Sequence, residues 1–375
     1  MSNTDAPDAP LEYSAEELLA THSVLEPLIA DGRRCHGGFD EHGEYLSPRT
    51  LHRVPAIAAW QSNHAAAFGT ELLDIELESF PAHYPNLDQA KLLLRNGVRE
   101  PIIATLSRVG TVEGFGGFLR YSIVEDLQRH FDDDLAGTAT AHLERGLIEA
   151  HARDEAGHED EAGHNLMWFA ARDIAFEHPM TADETSLMLE RMGIAGPGGQ
   201  LPDFAKLRSM AIANRRLPGD IDFDVESLLE RLVRLLLIEI NAFHIFSWAE
   251  ALLSDDTLVA GDGEAARIVS YIRADETPHV GYLKTVLTEM RDRTFVGEGG
   301  IKHAGADIIS TLWDPAVAES RGARRDEALE MTWQEVRRAV TDDALMEEFE
   351  ELGDVHRSAD GTWSERAALE ATAPA

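Results

Sequence analysis

The stretch RDEAGHEDEAGHN, residues 153–165, writes Asp-Glu-Ala-Gly-His twice, at 154–158 and at 160–164. Each copy sets a Glu and a His three positions apart, as does DETPH at 275–279. Residues three apart on a helix share a face, so such a pair can offer a carboxylate and an imidazole to one metal ion. A single Glu-x-x-His says little, because both residues are common. Two of them, each with a lone buried Glu at the same level of the preceding helix, would say much more.

That condition can be tested by hairpin geometry, since residues level with one another in an antiparallel helix pair lie equally far from the loop. For Glu276 the preceding helix offers Glu239, and the midpoint falls at about position 257, inside SDDTLVAGDG. For Glu155 it offers Glu113, and the midpoint is Asp134, inside DDDLAGT. At about 100° per residue, Glu276 and His279 sit in a stripe with Val269, Ile272, Val280, Leu283 and Leu287. Glu239 shares its face with Leu232, Leu235, Leu236, Phe243 and Phe246. A buried carboxylate without a partner costs several kcal/mol or goes neutral, and a divalent metal removes that cost. Pairing with a core Arg or Lys is the plainer alternative for any one of them.

The repeated motif poses a choice. Positions 155 and 161 are about 240° apart on a continuous helix, so both copies cannot face one core. The face of Glu155 holds Ile148, His151, His158, Leu166 and Phe169; that of Glu161 holds Asp154, His164, Trp168 and Arg172. The first is the more apolar, which selects Glu155 and His158 as ligands and leaves Glu161 and His164 as a solvated or supporting copy. Trp168 keeps the opposite choice open. His151, one turn before Glu155, is a candidate third nitrogen ligand or a hydrogen-bonded neighbour. Asp154 and Asp275 each precede a candidate Glu and can hold the free ring N–H of a ligand histidine. The candidate metal set is therefore Glu113, Glu155, His158, Glu239, Glu276 and His279, with His151, Asp154, Asp275, Glu161 and His164 as further ligands or supports.

The pattern resembles the ferritin-like di-iron carboxylate superfamily over about residues 98–294. The resemblance implies an all-α fold built on an antiparallel four-helix bundle, holding two Fe ions, or Mn in their place, with O2 as co-substrate. By analogy it implies a non-haem di-iron oxygenase or oxidase, an N-oxygenase or hydroxylase among the options, with a small-molecule substrate and an electron donor. Pro278 between Glu276 and His279, and Gly114, Gly116 and Gly117 after Glu113, depart from a regular bundle helix; either departure could open a substrate cavity. Ferritin and rubrerythrin domains of this type are usually much shorter than 375 residues. A ferritin- or rubrerythrin-like iron or peroxide handler, a haem-oxygenase-like di-iron oxidase and a metal-free helical interaction protein are the alternatives.

Composition narrows the rest. Hydrophobic residues make up 44% of the chain, enough for a folded core. The net charge of -35 disfavours nucleic acid and anionic membranes as partners. Cys35 is the only cysteine, so neither a disulfide framework nor a cysteine-rich metal site is available. The start, MSNTDAPDAP, lacks the marks of a signal peptide, and the apolar run Leu228 to Leu253 carries five charged residues, which argues against a membrane span. A cytoplasmic protein is expected, with a homodimer left open.

Few strand signals are evident. Helices are expected over 14–31, 54–79, 87–108, 109–131, about 139–177, 224–253 and 264–294, with two or three more after GEGG. The segment 193–222 reads as a Gly/Pro-rich crossover. Residues 1–10 are expected to be flexible, 11–352 to form a single helical domain, and 353–375 to form a tail.

Overall fold

The most apolar stretch forms the longest helix, Phe223–Leu253, which starts where the Asp222 carboxylate accepts the Asp224 N–H. A computed structural model describes residues 10–121, 124–176, 187, 190 and 204–366, and these are mostly helical. In chain order the helices are α1 (Ala15–Leu18), α2 (Arg53–Phe68), α3 (Leu87–Arg95), α4 (Glu100–Phe115), α5 (Ile148–Ala156), α6 (His164–Phe176) and α7 (Phe204–Ala213). They continue as α8 (Phe223–Leu253), α9 (Glu264–Asp275), α10 (Thr277–Arg291), α11 (Gly305–Arg321), α12 (Ala323–Ala339) and α13 (Asp343–Glu351).

Four helical columns meet around the motif residues. They are α4, the pair α5 and α6, the single helix α8, and the pair α9 and α10. Helix α4 packs on α6, α6 on α9, and α8 on both α9 and α10. By length and composition alone α8 would suit a bilayer, but half of its most apolar window is buried inside the protein. Two apolar clusters fill the interior. Helices α5 and α10 feed the first and α6 and α9 the second, while α8 passes from the first at Ile240 to the second at Phe246. Glu155, Glu239 and Glu276 all stand where a column crosses between the two clusters. The fold thus carries a thin polar layer between two oily halves.

Several expected helices are shorter than the periodicity suggests, for local reasons. The helix expected over 14–31 gives only α1, and the chain then forms an antiparallel sheet of β1 (Glu26–Ala30), β2 (Arg33–Phe39) and β3 (Tyr45–Leu46). Asp31 and Gly32, at φ 48° and 73°, make the two-residue turn that joins β1 to β2. Gly69, at φ 67°, caps α2. The expected helix 109–131 ends at Phe115 and gives way to short 3₁₀ turns. Helix α13 buries Met346 and Phe349. Two short hairpins, β4 (Thr294–Val296) with β5 (Lys302–Ala304) and β6 (Val355–Arg357) with β7 (Trp363–Glu365), complete the described elements, the second within the expected tail. The part of the expected crossover at 193–203 lies outside the described residues.

The decisive departure is at the repeated motif. The helix expected to run unbroken through it stops at Ala156 and restarts at His164. Gly157 takes φ 82°, and the chain turns through a tight corner in which His158 and Glu161 exchange backbone hydrogen bonds of 3.1 Å. The corner is docked on β2, where the Ala162 N–H donates to the Arg34 carbonyl at 2.8 Å. Gly163 is wedged against it: a Cβ there would lie 2.3 Å from the Gly157 nitrogen and 2.6 Å from the Asp154 carbonyl oxygen. Those neighbours are backbone and cannot step aside. Gly163→Ala should therefore cost about 3 kcal/mol, the upper end for overpacked interiors, in denaturant unfolding; an unchanged midpoint would mean the corner is slack.

Candidate metal centre

Two overlapping groups of ligand-type atoms lie in the polar layer. One joins His151, Glu155, Glu239 and His279; the other joins Glu113, Glu155, His164 and Glu276; within each group the atoms lie within 4.8 Å of one another. Glu155 belongs to both. All but Glu113 are buried. The corner explains how these residues converge: α5 presents His151 and Glu155 one turn apart, and the restart of α6 brings His164 back to the same centre. In the third and fourth columns, α8 supplies Glu239, while Glu276, between α9 and α10, and His279 supply one carboxylate and one imidazole.

The contacts inside the layer are short and unresolved. His151 Nε2 lies 3.1 Å from Glu239 Oε1 and 3.4 Å from Glu155 Oε1. His164 Nδ1 is 2.9 Å from Glu276 Oε1, and His279 Nδ1 is 2.6 Å from Glu276 Oε2. Yet His151 Nε2, Glu155 Oε1, His164 Nδ1 and Glu276 Oε1 are buried with no aligned hydrogen-bond partner. Native interiors seldom leave such atoms unpaired. Burial pushes Glu155 well above the usual carboxylate range, with Glu113 and Glu276 adding to it, and burial with Glu239 does the same to Glu276. Burial also works to raise Glu239, but His151 holds it down to about 2. For His164 burial opposes the cation, yet Glu276 and Glu155 hold its pKa well above the usual value. Four carboxylates carry up to four negative charges, and two divalent cations would cancel them. The donor set, its unpaired atoms and its charge fit a pair of metal ions.

The chain matches no family model, curated protein or solved structure. The chemistry of this centre therefore rests on its own geometry.

Around the centre each imidazole is held from behind. Asp154, fully buried, lies 2.9 Å from His279 Nε2 and accepts 2.7 Å hydrogen bonds from Arg49 and Arg53. Burial works to raise the Asp154 pKa, but the two guanidinium groups and His279 hold it well below the usual range. Asp275 lies 3.4 Å from His164 Nε2 and accepts from the Tyr45 hydroxyl at 2.9 Å. The Tyr282 hydroxyl is 2.9 Å from His151 Nδ1. These supports leave Nδ1 of His164 and His279, and Nε2 of His151, facing the carboxylates. The Trp168 indole N–H donates to Glu113 at 3.2 Å.

The corner corrects two expectations, the inward His158 and the outward His164. His158 lies in neither group; its side chain is about a third exposed, with Nε2 3.7 Å from Glu159 Oε1. His164 takes the position expected for His158, because the break at Gly157 turns the second copy of the motif inward. Glu161 is also outside the groups, accepting from Arg34 at 2.9 Å and lying 2.9 Å from His36. It ties the corner to the sheet. The choice of copy failed on one assumption, a continuous helix, and the two glycines within DEAGHEDEAGH were the signal against it. Arg49, Arg53, Tyr45 and Tyr282 carried no sequence signal, since their roles depend on packing between distant segments.

The two departures from a regular bundle helix also have local uses. A Cβ on Gly116 would lie 2.2 Å from Glu155 Cγ, so the glycine makes room for the shared carboxylate. Pro278 stands in the first turn of α10, where a missing N–H costs little. Neither residue lines the large cavity beside Glu113.

Proposed function

We propose that this protein is a non-haem di-iron oxygenase or oxidase acting on a small organic molecule. The supporting observation is the pair of buried ligand groups that share Glu155. In this reading one metal is held by His151, Glu239 and His279, the other by Glu113 and His164, with Glu155 shared and Glu276 within reach of both. The four columns would then be the four-helix bundle of the ferritin-like carboxylate proteins that the ligand pattern resembles. Mixed imidazole and carboxylate donors suit iron, with manganese as the competitor. When bound, a pair of ferrous ions supplies the electrons that activate O2. The chain's own part is to hold geometry and keep water out. Asp154, Asp275 and Tyr282 fix the three imidazole rings, Trp168 orients Glu113, and the two apolar clusters seal the layer above and below.

A scavenger of iron or peroxide would need the same ligands but no substrate cavity, and a cavity of about 440 Å³ reaches Glu113. The test is the metal content of anaerobically purified, iron-reconstituted protein beside His164→Ala and His158→Ala. Wild type and His158→Ala should hold about two irons per chain and consume O2 when a substrate is found. His164→Ala should lose at least one iron. Equal iron in His164→Ala and wild type would refute the centre.

A further inference from the structure

The cavity that reaches Glu113 has a chemistry of its own. It is about 440 Å³, within the roughly 300–1,000 Å³ common for small-molecule sites. Glu113 is its one lining residue drawn from the two ligand groups. The larger part of the wall is apolar, with Phe80, Tyr84, Val109, Leu237, Ile245 and Leu329 drawn from four segments of the chain. Two further lining residues, Val112 and Ile238, are 38% and 48% exposed, so the cavity meets solvent along an apolar rim.

The arginines inside it already have carboxylate neighbours. Arg108 is bound by both oxygens of Glu335 at 2.9–3.2 Å. Further out, Arg325 pairs with Glu365, and Arg324 lies 3.8 Å from Glu319. Arg108 and Arg325 are thus offset by carboxylates of their own, which leaves an entering anion little to gain. A cation fares no better in the interior, where Glu113 would be engaged by metal. Two polar atoms of its lining residues are buried without a partner: Arg325 Nε, on a guanidinium that Glu365 already pairs, and His83 Nε2, whose ring is tilted against Trp248 at 4.4 Å. Burial and the nearby Arg108 push His83 down to about 3, so it meets a ligand as a neutral imidazole.

We propose that this cavity binds a neutral, largely apolar organic molecule through one hydrogen bond to His83 and presents it to Glu113. That Glu113 marks the reacting end, and that a cation is refused there, rest on the di-iron reading; the preference for a neutral, apolar ligand over an anion does not. The full-length protein would be titrated with 2-naphthol, 2-naphthoate and 2-naphthylmethylammonium, following naphthalene fluorescence, with iron content measured on the same samples. The neutral probe should bind at least about tenfold tighter than either ion. Val112→Trp at the rim and Ala242→Trp on the wall should each abolish binding, and His83→Ala should weaken 2-naphthol by about fivefold to tenfold. The partly exposed Val112 site tolerates a large side chain, so a folding failure of the wall variant leaves the test intact. Equal binding of 2-naphthoate, or unchanged 2-naphthol affinity in Val112→Trp, would overturn the proposal. Selective 2-naphthol binding by protein that takes up no iron would uphold the cavity and refute the metal centre. Iron uptake without 2-naphthol binding would do the reverse.

Discussion

Glu155→Ala should empty both metal positions at once. Glu155 is the one residue common to the two ligand groups, and it is buried at the end of α5 with Oε1 unpaired. Apart from Glu276, which also lies beside His279, each neighbouring ligand serves one group, so its loss leaves the other largely furnished. Metal per chain should fall from about two to near zero in Glu155→Ala, against a fall to about one in Glu113→Ala. The variant should keep its helical circular dichroism, because the site lies in a polar layer and not within either apolar cluster. Bound metal stabilises the native state by mass action, about 2.7 kcal/mol at a hundredfold excess over Kd. Wild type should therefore show a metal-dependent rise in Tm that Glu155→Ala lacks. Retention of one full metal in Glu155→Ala would show that the two groups do not share a bridging carboxylate.

Asp154→Asn carries the second large effect, on stability. Asp154, Arg53 and Arg49 are essentially inaccessible, and the carboxylate answers both guanidinium groups and His279. The amide is close in shape but leaves two buried cations facing a neutral group. Breaking a buried ion pair from one side costs about 3–5 kcal/mol, so the denaturation midpoint should drop by a corresponding amount. His279 also loses the acceptor that holds its ring proton on Nε2, which typically costs roughly 10- to 100-fold in metal affinity. The conservative control is Glu161→Gln, on the surface of the same corner, which should change neither metal affinity nor the midpoint by more than a few tenths of a kcal/mol. A wild-type midpoint in Asp154→Asn would mean that water already solvates the arginines.

The sequence made the helical class and the level carboxylates visible, because both rest on periodicity. Glu113, Glu155, Glu239, Glu276 and His279 could be aligned by counting from loops, since a helix converts separation in sequence into height along an axis. Counting fails where the helix stops. The same periodicity, carried through Gly157, assigned His158 to the core and His164 to the outside, and a single corner reversed the two. The β1–β2 hairpin was hidden for a related reason: its Asp31-Gly32 turn was the only strong signal, flanked by strands too short to alternate clearly. The network of Arg49, Arg53, Tyr45 and Tyr282 was illegible on different grounds. Nothing local marks an arginine as buried; only its partner does, and the partner of Arg53 is 101 positions away.

The separations that hide the network also order its assembly. Arg53 meets Asp154 across 101 residues, His151 meets Tyr282 across 131, and Tyr45 meets Asp275 across 230. Long-range contacts of this kind form late, because the entropy of loop closure is lost before the contacts themselves stabilise anything. The helical columns can form from local signals while the first fifty residues, synthesised first, are still undocked. The corner at Gly157 is set only when β2 lies against Ala162, and His164 points inward only when that corner is set. On the di-iron reading, competence to take up metal is thus a late event in the folding of the chain, delayed until residues 34–53 have docked against its middle.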